Sequence, residues 1–490
     1  MTDTFNTGLG KLAAASMESA GPGASGFRLL PTGDFALDAR LALARRAERS
    51  LDVQYYHLAS DSVGLQFLRE LRDAAKRGVR VRLLVDDLYT GSEDELFASF
   101  ATMPNVEVRL FNPLPSRGGS LVGRILYSAH EFSRINLRMH NKLFVADNRF
   151  SVSGGRNVAD EYFMRSNEAN FIDMDVIAAG PIVRELSQVF DRYWNSALAY
   201  PIGAVIQALA PSIAATASEQ RFDELVNAAP PELLPGLSDP LGRTSVDYEL
   251  SAGRIAMEYA VASVLADTPN KGALRNPGDT LSTVNRSVLE ELATARQDVL
   301  IASPYFIPGR DGMERLREVI ERKVRIHVVT NGVGATDEPL VHWRYARYRL
   351  NMLKMGVDLY EVSPTLEREV SRFGEFGLSF RRLHAKVAVF DTDRVFVGSM
   401  NFDPRSAWSN TESGLLIEST VLANQIYNLL ADPNNAGIYQ LRLAEDGETI
   451  QWWSRGPDGN LRFTTEEPDN DWTLKLKQFL LEPLVAEELL

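Results

Sequence analysis

One string of residues occurs twice in this chain, and that duplication constrains the fold more than any other feature. His140-Asn-Lys142-Leu-Phe-Val-Ala-Asp147 and His384-Ala-Lys386-Val-Ala-Val-Phe-Asp391 both read H-x-K-x-x-x-x-D, 244 residues apart (140 to 384). A small-residue turn ending in Asn follows each, Gly154-Gly155-Arg156-Asn157 and Gly398-Ser399-Met400-Asn401. His, Lys, Asp and Asn fall at these spacings by chance about once in 10⁵ start positions, so two copies in register mark one duplicated element. The flanking pattern repeats with them. Leu51–Tyr56 and Val299–Tyr305 read as strands, Leu65–Lys76 and Gly312–Lys323 as amphipathic helices, and Val79–Val85 and Val324–Thr330 as further strands. Val106–Phe111 with Val357–Val362, then Lys142–Ala146 with Lys386–Phe390, complete the two sets. Each half predicts α/β layers with a mainly parallel core.

The repeat divides the 490 residues into a flexible tail (1–25), a first repeat (26–200), a connecting insert rich in Ala, Pro and Ser (201–280), a second repeat (281–432) and an appendage (433–490). With 45% hydrophobic and 24% charged residues, the chain is neither disordered, fibrous nor membrane-embedded. It lacks an uncharged apolar run of roughly 18 residues, which leaves only peripheral membrane contact. Residues 1–25 hold one basic residue, Lys11, and the short apolar run Leu12 to Ala15, which does not fit a signal peptide. Without cysteine there is no disulfide, thiolate metal site or cysteine nucleophile. A net charge of −13 and a pI near 5.2 argue against a general nucleic-acid binder.

On a strand, His140 and Lys142 point to one face, as do His384 and Lys386. Halves folded about a pseudo-two-fold axis would gather both pairs into one pocket of two imidazoles and two ammonium groups. The pattern contains no cluster suited to a metal and implies no cofactor. Such a pocket suits a phosphodiester. One imidazole attacks phosphorus, the other protonates the leaving oxygen, and the roles exchange when a second alcohol arrives. The lysines stabilise the non-bridging oxygens, each charge pair at 4 Å being worth about 4 kcal/mol at an effective dielectric near 20. Distant surface acids are screened beyond roughly 8 Å, so the net charge does not oppose this.

The duplicated H-x-K-x-x-x-x-D with G-[GS]-x-N resembles the phospholipase D superfamily over residues 26–200 and 281–432. Arg138-Met-His-Asn-Lys142, Gly154-Gly-Arg-Asn157, Asn401-Phe-Asp-Pro-Arg405, Asn410-Thr-Glu412 and Gln440-Leu-Arg-Leu443 resemble, within it, the bacterial cardiolipin synthases of the C type. The resemblance implies the phospholipase D fold, two pseudo-symmetric α/β/α halves with the active site at their interface. It further implies metal-independent phosphatidyl transfer to phosphatidylglycerol through a phosphohistidine, with His140 the nucleophile and His384 the acid and then base. Lys142, Lys386, Asn157 and Asn401 would bind phosphate oxygens, and Asp173 and Glu412 would orient the imidazoles. Asp147 and Asp391 belong to the catalytic motif, although ending a strand and holding a turn accounts for them as well. Hydrolysis to phosphatidic acid and cleavage of nucleic acid are the competing reactions, since water and an alcohol attack the same intermediate. The partners implied are anionic phospholipids, with phosphatidylethanolamine a further donor, on the cytoplasmic face of the inner membrane.

Other residues carry two readings. His57 fits the pocket wall or a hydrogen-bonded strand end. His342, in the basic aromatic segment Val341–Tyr348, fits a head-group contact or packing, and His130 and His327 fit structural roles. Asp86 and Asp87, ending a strand, suit an α/β site or a cap. From Ser116 to Lys142, Arg117, Arg124, Arg134, Arg138 and Lys142 alternate with Ile125, Leu126, Tyr127, Phe132 and Ile135, which suggests either a lipid-facing surface or a packed loop. The apolar tail from Trp472 to Leu490 suits docking on the protein better than a membrane, because Glu482, Glu487 and Glu488 would oppose an anionic surface.

Overall fold

The computed structural model describes residues 4–117, 123–124, 131–232, 234–271, 283–364, 366, 380–431, 437–456, 458–470, 472 and 474. His130, the apolar residues 125–127 and most of the C-terminal tail lie outside them. The strands are β1 (Ser25–Leu30), β2 (Ser50–Tyr55), β3 (Arg80–Asp86), β4 (Val106–Phe111), β5 (Leu143–Ala146), β6 (Phe150–Gly154), β7 (Ala169–Ile172), β8 (Asp175–Ala179), β9 (Ala199–Pro201), β10 (Glu258–Ala260) and β11 (Ala262–Ala266). They continue as β12 (Asp298–Ala302), β13 (Arg325–Asn331), β14 (Asp358–Val362), β15 (Phe380–Leu383), β16 (Val387–Phe390), β17 (Arg394–Gly398), β18 (Ser413–Glu418), β19 (Ile438–Leu443), β20 (Ile450–Arg455) and β21 (Leu461–Thr464).

The duplication is visible in strand order. A nine-stranded sheet runs β10-β1-β8-β6-β5-β2-β3-β4-β9 and a ten-stranded sheet β11-β18-β17-β16-β12-β13-β14-β19-β20-β21. The central six of the first, β8-β6-β5-β2-β3-β4, match β18-β17-β16-β12-β13-β14 one for one. Within these two sheets parallel pairing is confined to β2-β3-β4 and β12-β13-β14, and their remaining pairs are antiparallel. The mainly parallel core expected from the β-α-β pattern therefore holds for three strands per half. Among the antiparallel pairs, β5-β6, β16-β17, β19-β20 and β20-β21 join through hairpins, which need no crossover helix. The motif's aspartates build two of these turns, with left-handed φ at Asp147 (50°) and Asn148 (53°) and at Asp391 (53°) and Thr392 (59°).

Three cores result. One lies outside the first sheet, beneath α1 (Gly8–Ser16), α2 (Gly33–Arg46) and α3 (Ser62–Lys76), where Leu41, Phe67 and Val81 are buried. Another lies outside the second sheet, beneath helices Gly309–Glu321 and Pro339–Met355. The third joins the halves: Val145, Val176, Val389, Val397 and Ile417 pack with helices Pro181–Trp194 and Thr420–Leu430 between the two sheets.

Three segments outside the repeats add elements to them. Within the tail 1–25, α1 is capped by Thr7, which accepts from Gly10 N at 3.0 Å, and Leu9 is fully buried. The insert 201–280 supplies an edge strand to each sheet, β10 against β1 and β11 against β18. The appendage adds β19, β20 and β21 to the second sheet through β14. Periodicity missed the insert and appendage strands because edge strands are half exposed and carry little alternation.

Candidate active site

The site is assembled at the ends of β3 and β13. Asp86, the last residue of β3, accepts from Met139 N at 2.7 Å and pairs with Arg138 at 3.1 Å, fixing the backbone just before His140. Its counterpart Asn331, 245 residues later at the end of β13, bonds Leu383 on both sides, Leu383 N at 2.8 Å and Leu383 O at 2.9 Å, just before His384. Asp87 next door receives Leu114 N at 2.7 Å and the buried Arg117 and Arg124. The carboxyl end of the strand is thus where the sequence pointed, with Asp86 acting on the backbone of the motif.

Each histidine reaches across to the other half. Met139 bridges Thr411, and His140 N donates to Thr411 O at 3.0 Å. In the second half β15 pairs in parallel with β7, and His384 N donates to Ile172 O at 2.7 Å. Glu412 and Asp173 follow directly on these anchors, so the carboxylates are exchanged between halves: His140 Nδ1 lies 3.0 Å from Glu412 and His384 Nδ1 lies 2.6 Å from Asp173. The motif's His and Lys do not sit on the central strands as expected. These begin at Leu143 and Val387, and His140–Lys142 and His384–Lys386 are the junctions between the cross-half pairing and the sheet.

Both imidazoles and both lysines are almost wholly buried. Burial pushes the two histidines down to about 4, outweighing the facing carboxylates. Burial also lowers Lys142 far below its usual value and Lys386 to about 8. Lys386 lowers Lys142 further, which puts both ammonium groups within one electrostatic site. Burial opposes ionisation of Asp173 and Glu412, but the imidazoles and lysines outweigh it and hold both carboxyls below their ordinary range. At neutral pH the imidazoles are neutral; the Glu412 acceptor on His140 Nδ1 assigns the proton there and leaves the Nε2 lone pair free, while His384 Nδ1 faces Asp173 and, at 3.0 Å, Lys386 Nζ. Lys142 Nζ donates to His140 O at 2.6 Å and Lys386 Nζ to His384 O at 2.5 Å, so each cation stays beside its own histidine.

The remaining expected residues divide. Asn157 accepts from His57 N at 3.2 Å and donates to Tyr162 OH at 2.9 Å, while Asn401 keeps Oδ1 buried without a partner among the described residues. Asp147 receives the N–H groups of Glu48, Arg49 and Ser50, and Asp391 those of Arg296, Gln297 and Asp298. The turn-holding role offered for both is the one these contacts fit: each carboxylate is occupied with backbone, tying the hairpin turn to the start of the neighbouring strand. His57 lies near the site, its imidazole pushed down to about 4 by burial and Lys142, with the Tyr89 ring 5.1 Å away. His342 is buried against Arg349 (2.6 Å), Glu467 (3.2 Å) and Asn331 O (3.1 Å), which makes it part of the packing. Arg117, Arg124, Arg134 and Arg138 all engage Asp or Glu side chains, so these four arginines are not free cations. The motif reading missed Tyr56 and Tyr162, whose rings stand edge-on 5.0 Å from His140 and His384, and Ser399 and Ser406, which donate to Glu412. A strand-end Tyr-Tyr pair and the family-like Ser were the available signals. Among the described residues no group of His, Asp or Glu is placed to hold a metal ion.

Two matched halves, each lending a carboxylate to the other's histidine beside a buried lysine, define an enzyme of the phospholipase D class. The family described as "Cardiolipin synthase, PLD-like domain" matches residues 41–194 and 288–431. Cardiolipin synthase C of Escherichia coli is 36% identical over 92% of this chain and 93% of its own length. Cardiolipin synthase A of Pseudomonas fluorescens is 24% identical over 82% and 67%. The crystal structure of phosphatidylserine synthase from Haemophilus influenzae superposes with a TM-score of 0.59, covering 98% of this chain and 99% of that one at 11% identity, which shows the shared fold. The chain belongs to the cardiolipin synthase family of phospholipase D-like phosphatidyltransferases.

Proposed function

We propose that this protein forms cardiolipin by moving a phosphatidyl group from a donor phospholipid to phosphatidylglycerol. The observation that carries the reading is the exchanged pair of imidazole–carboxylate contacts around two buried lysines. His140 Nε2 attacks phosphorus, the P–O bond to the donor's head alcohol breaks, and His384 delivers the proton to the departing oxygen. The incoming glycerol hydroxyl then gives its proton to His384 as its oxygen displaces His140, restoring the free enzyme. Glu412 and Asp173 hold each Nδ1 proton and stabilise the imidazolium that forms in turn. Lys142 and Lys386 balance charge on the non-bridging oxygens, with Asn157 and Asn401 beside them. The low proton affinity of the free histidines suits the nucleophile; the negative charge of the bound phosphodiester raises the proton affinity of His384, which takes a proton from water before the leaving oxygen departs and releases one once the product has left.

The donor is a phosphatidylglycerol or a phosphatidylethanolamine, met at the surface of the cytoplasmic membrane. No helix among the described residues is long and apolar enough to cross a bilayer. The test is mass spectrometry of lipids after purified protein meets phosphatidylglycerol, alone and mixed with phosphatidylethanolamine, with chelator present. Cardiolipin from the native protein but from neither His140→Ala nor His384→Ala is expected. Phosphatidic acid alone would replace transfer by hydrolysis, and no lipid product would shift the reading to a nuclease.

A further inference from the structure

We propose that one face of the ribbon β19-β20-β21 docks this protein onto an anionic lipid surface. The inference rests on the lipid reading of the site and adds where the protein meets its substrate's surface. The ribbon extends the second sheet beyond β14, and its two faces have opposite fates. Trp452 and Leu441 turn inward to the core beneath helix Pro339–Met355, and Trp452 Nε1 donates to Glu361 at 3.0 Å. The register Gln440↔Trp453↔Phe463 and Arg455↔Leu461 puts Gln440, Arg442, Trp453, Arg455, Leu461 and Phe463 on the other face. There the rings of Trp453 and Phe463 stack at 4.7 Å and the Arg442 guanidinium lies 5.1 Å over Trp453. Leu461 is 53% exposed and Phe463 52%. Neither Arg442 nor Arg455 has an ion pair among the described residues, and no carboxylate stands among these six side chains. Asp358, nearer the body of the sheet, is held by His327 at 3.1 Å.

An aromatic pair, an exposed leucine and two uncompensated arginines on one sheet face complement a surface that is apolar within and anionic at its head groups. The chain as a whole carries −13, whereas these six side chains bear two positive charges and no acid, and Asp458 in the turn between β20 and β21 is held by Arg462 at 2.6 Å. The patch also stands at the right end of the sheet. Asn331, which clamps the backbone before His384, pairs with Val362, and Val362 with Ile438 at the start of β19. Arg455 and Leu461 lie at that same end of β20 and β21. The alternative surface, the arginines before His140, is already consumed by Asp86, Asp87 and Asp94.

The experiment is vesicle sedimentation of the native chain, Leu461→Ser/Phe463→Ser and Arg442→Gln, run beside cardiolipin formation in detergent–phosphatidylglycerol micelles, where docking is not needed. Native protein sediments with phosphatidylglycerol vesicles and far less with phosphatidylcholine. The double variant binds about tenfold more weakly, and Arg442→Gln a few-fold more weakly with a shallower salt dependence, while both keep micellar activity. Variants that sediment like the native chain, or a native chain that ignores anionic vesicles, overturn the proposal. So does a native dimer that the double variant dissolves, which would make a second copy the occupant. Failure of the reaction itself shows separately, as absence of cardiolipin in native micelles.

Discussion

The two half-sites perform one task with different parts. Glu412 is held on both oxygens by hydroxyls, Ser399 at 2.5 Å and Ser406 at 2.9 Å, besides His140 at 3.0 Å. Asp173, one methylene shorter, meets His384 at 2.6 Å and otherwise accepts from its neighbour Met174 N at 2.7 Å. The residue equivalent to Ser399 is Gly155, where a Cβ would stand 2.2 Å from Asp173 Oδ1. A longer acid with a serine and a shorter acid with a glycine are thus alternative solutions to one distance. Duplication preserved the imidazole–carboxylate contact while the support behind it diverged, and the divergence allows the two histidines to specialise.

Removing the histidines tests that specialisation most severely. His140→Ala and His384→Ala each lower turnover about 10⁴-fold or more. With a donor whose head group is p-nitrophenol, which departs without a proton, His384→Ala still yields a phosphoprotein detectable by phosphorus-labelled lipid. His140→Ala yields none. Labelling in the reverse pattern would exchange the two roles and leave the rest of the site standing. Gly155→Ala comes next, because the new Cβ must displace Asp173: about 10²-fold in kcat is expected, from the 1 Å scale of the misplacement. Ser399→Gly, which copies the first half into the second, removes one bond to a charged acceptor and should cost about tenfold. If the two substitutions cost the same, the two supports are equivalent and the asymmetry has no catalytic meaning.

The pH profile separates histidines from lysines. Free His140, pushed down to about 4, loses activity as pH falls through that value, since a protonated imidazole cannot attack. Lys386, brought down to about 8, loses its charge as pH rises, so kcat/KM falls above that point. Lys386→Arg should keep the acid limb and carry the alkaline limb upward by a unit or more, as guanidinium stays charged.

Much of this was legible in the string because duplication is written in residue types at fixed spacing. The shift of about 245 located β2 and β12, β3 and β13, β4 and β14, and both motifs before any fold was known. What stayed hidden is pairing between remote segments. The four-residue strands β7 and β15 are too short to show a period, and nothing local to Phe380–Leu383 says that it lies beside Ala169–Ile172, although this register decides that Asp173 serves His384. Charge misled for a similar reason. Arg117 and Arg124 look like surface cations in sequence, yet Asp87 and Asp94, more than 20 residues away, take them inside.

The far ends of the sheets carry the smallest predicted effect. Arg82 on β3 bonds Asp52 at 2.7 Å, and at the equivalent place on β13 His327 meets Asp298 at 3.2 Å and Asp358 at 3.1 Å. One cation is permanent and the other titrates. Burial opposes the charged imidazole, but the two carboxylates outweigh it and raise His327 to about 9. A folded value above the unfolded 6.5 means that this stabilisation is fully present below pH 6.5 and is lost as pH rises through 9. After discounting for solvent screening it amounts to about 1–2 kcal/mol. Thermal denaturation of native protein against His327→Gln should therefore show a gap near pH 6 that closes by pH 10. Arg82→Gln, which removes a guanidinium that stays charged throughout, should keep a constant gap, and a gap that closes for both would place the titrating group elsewhere.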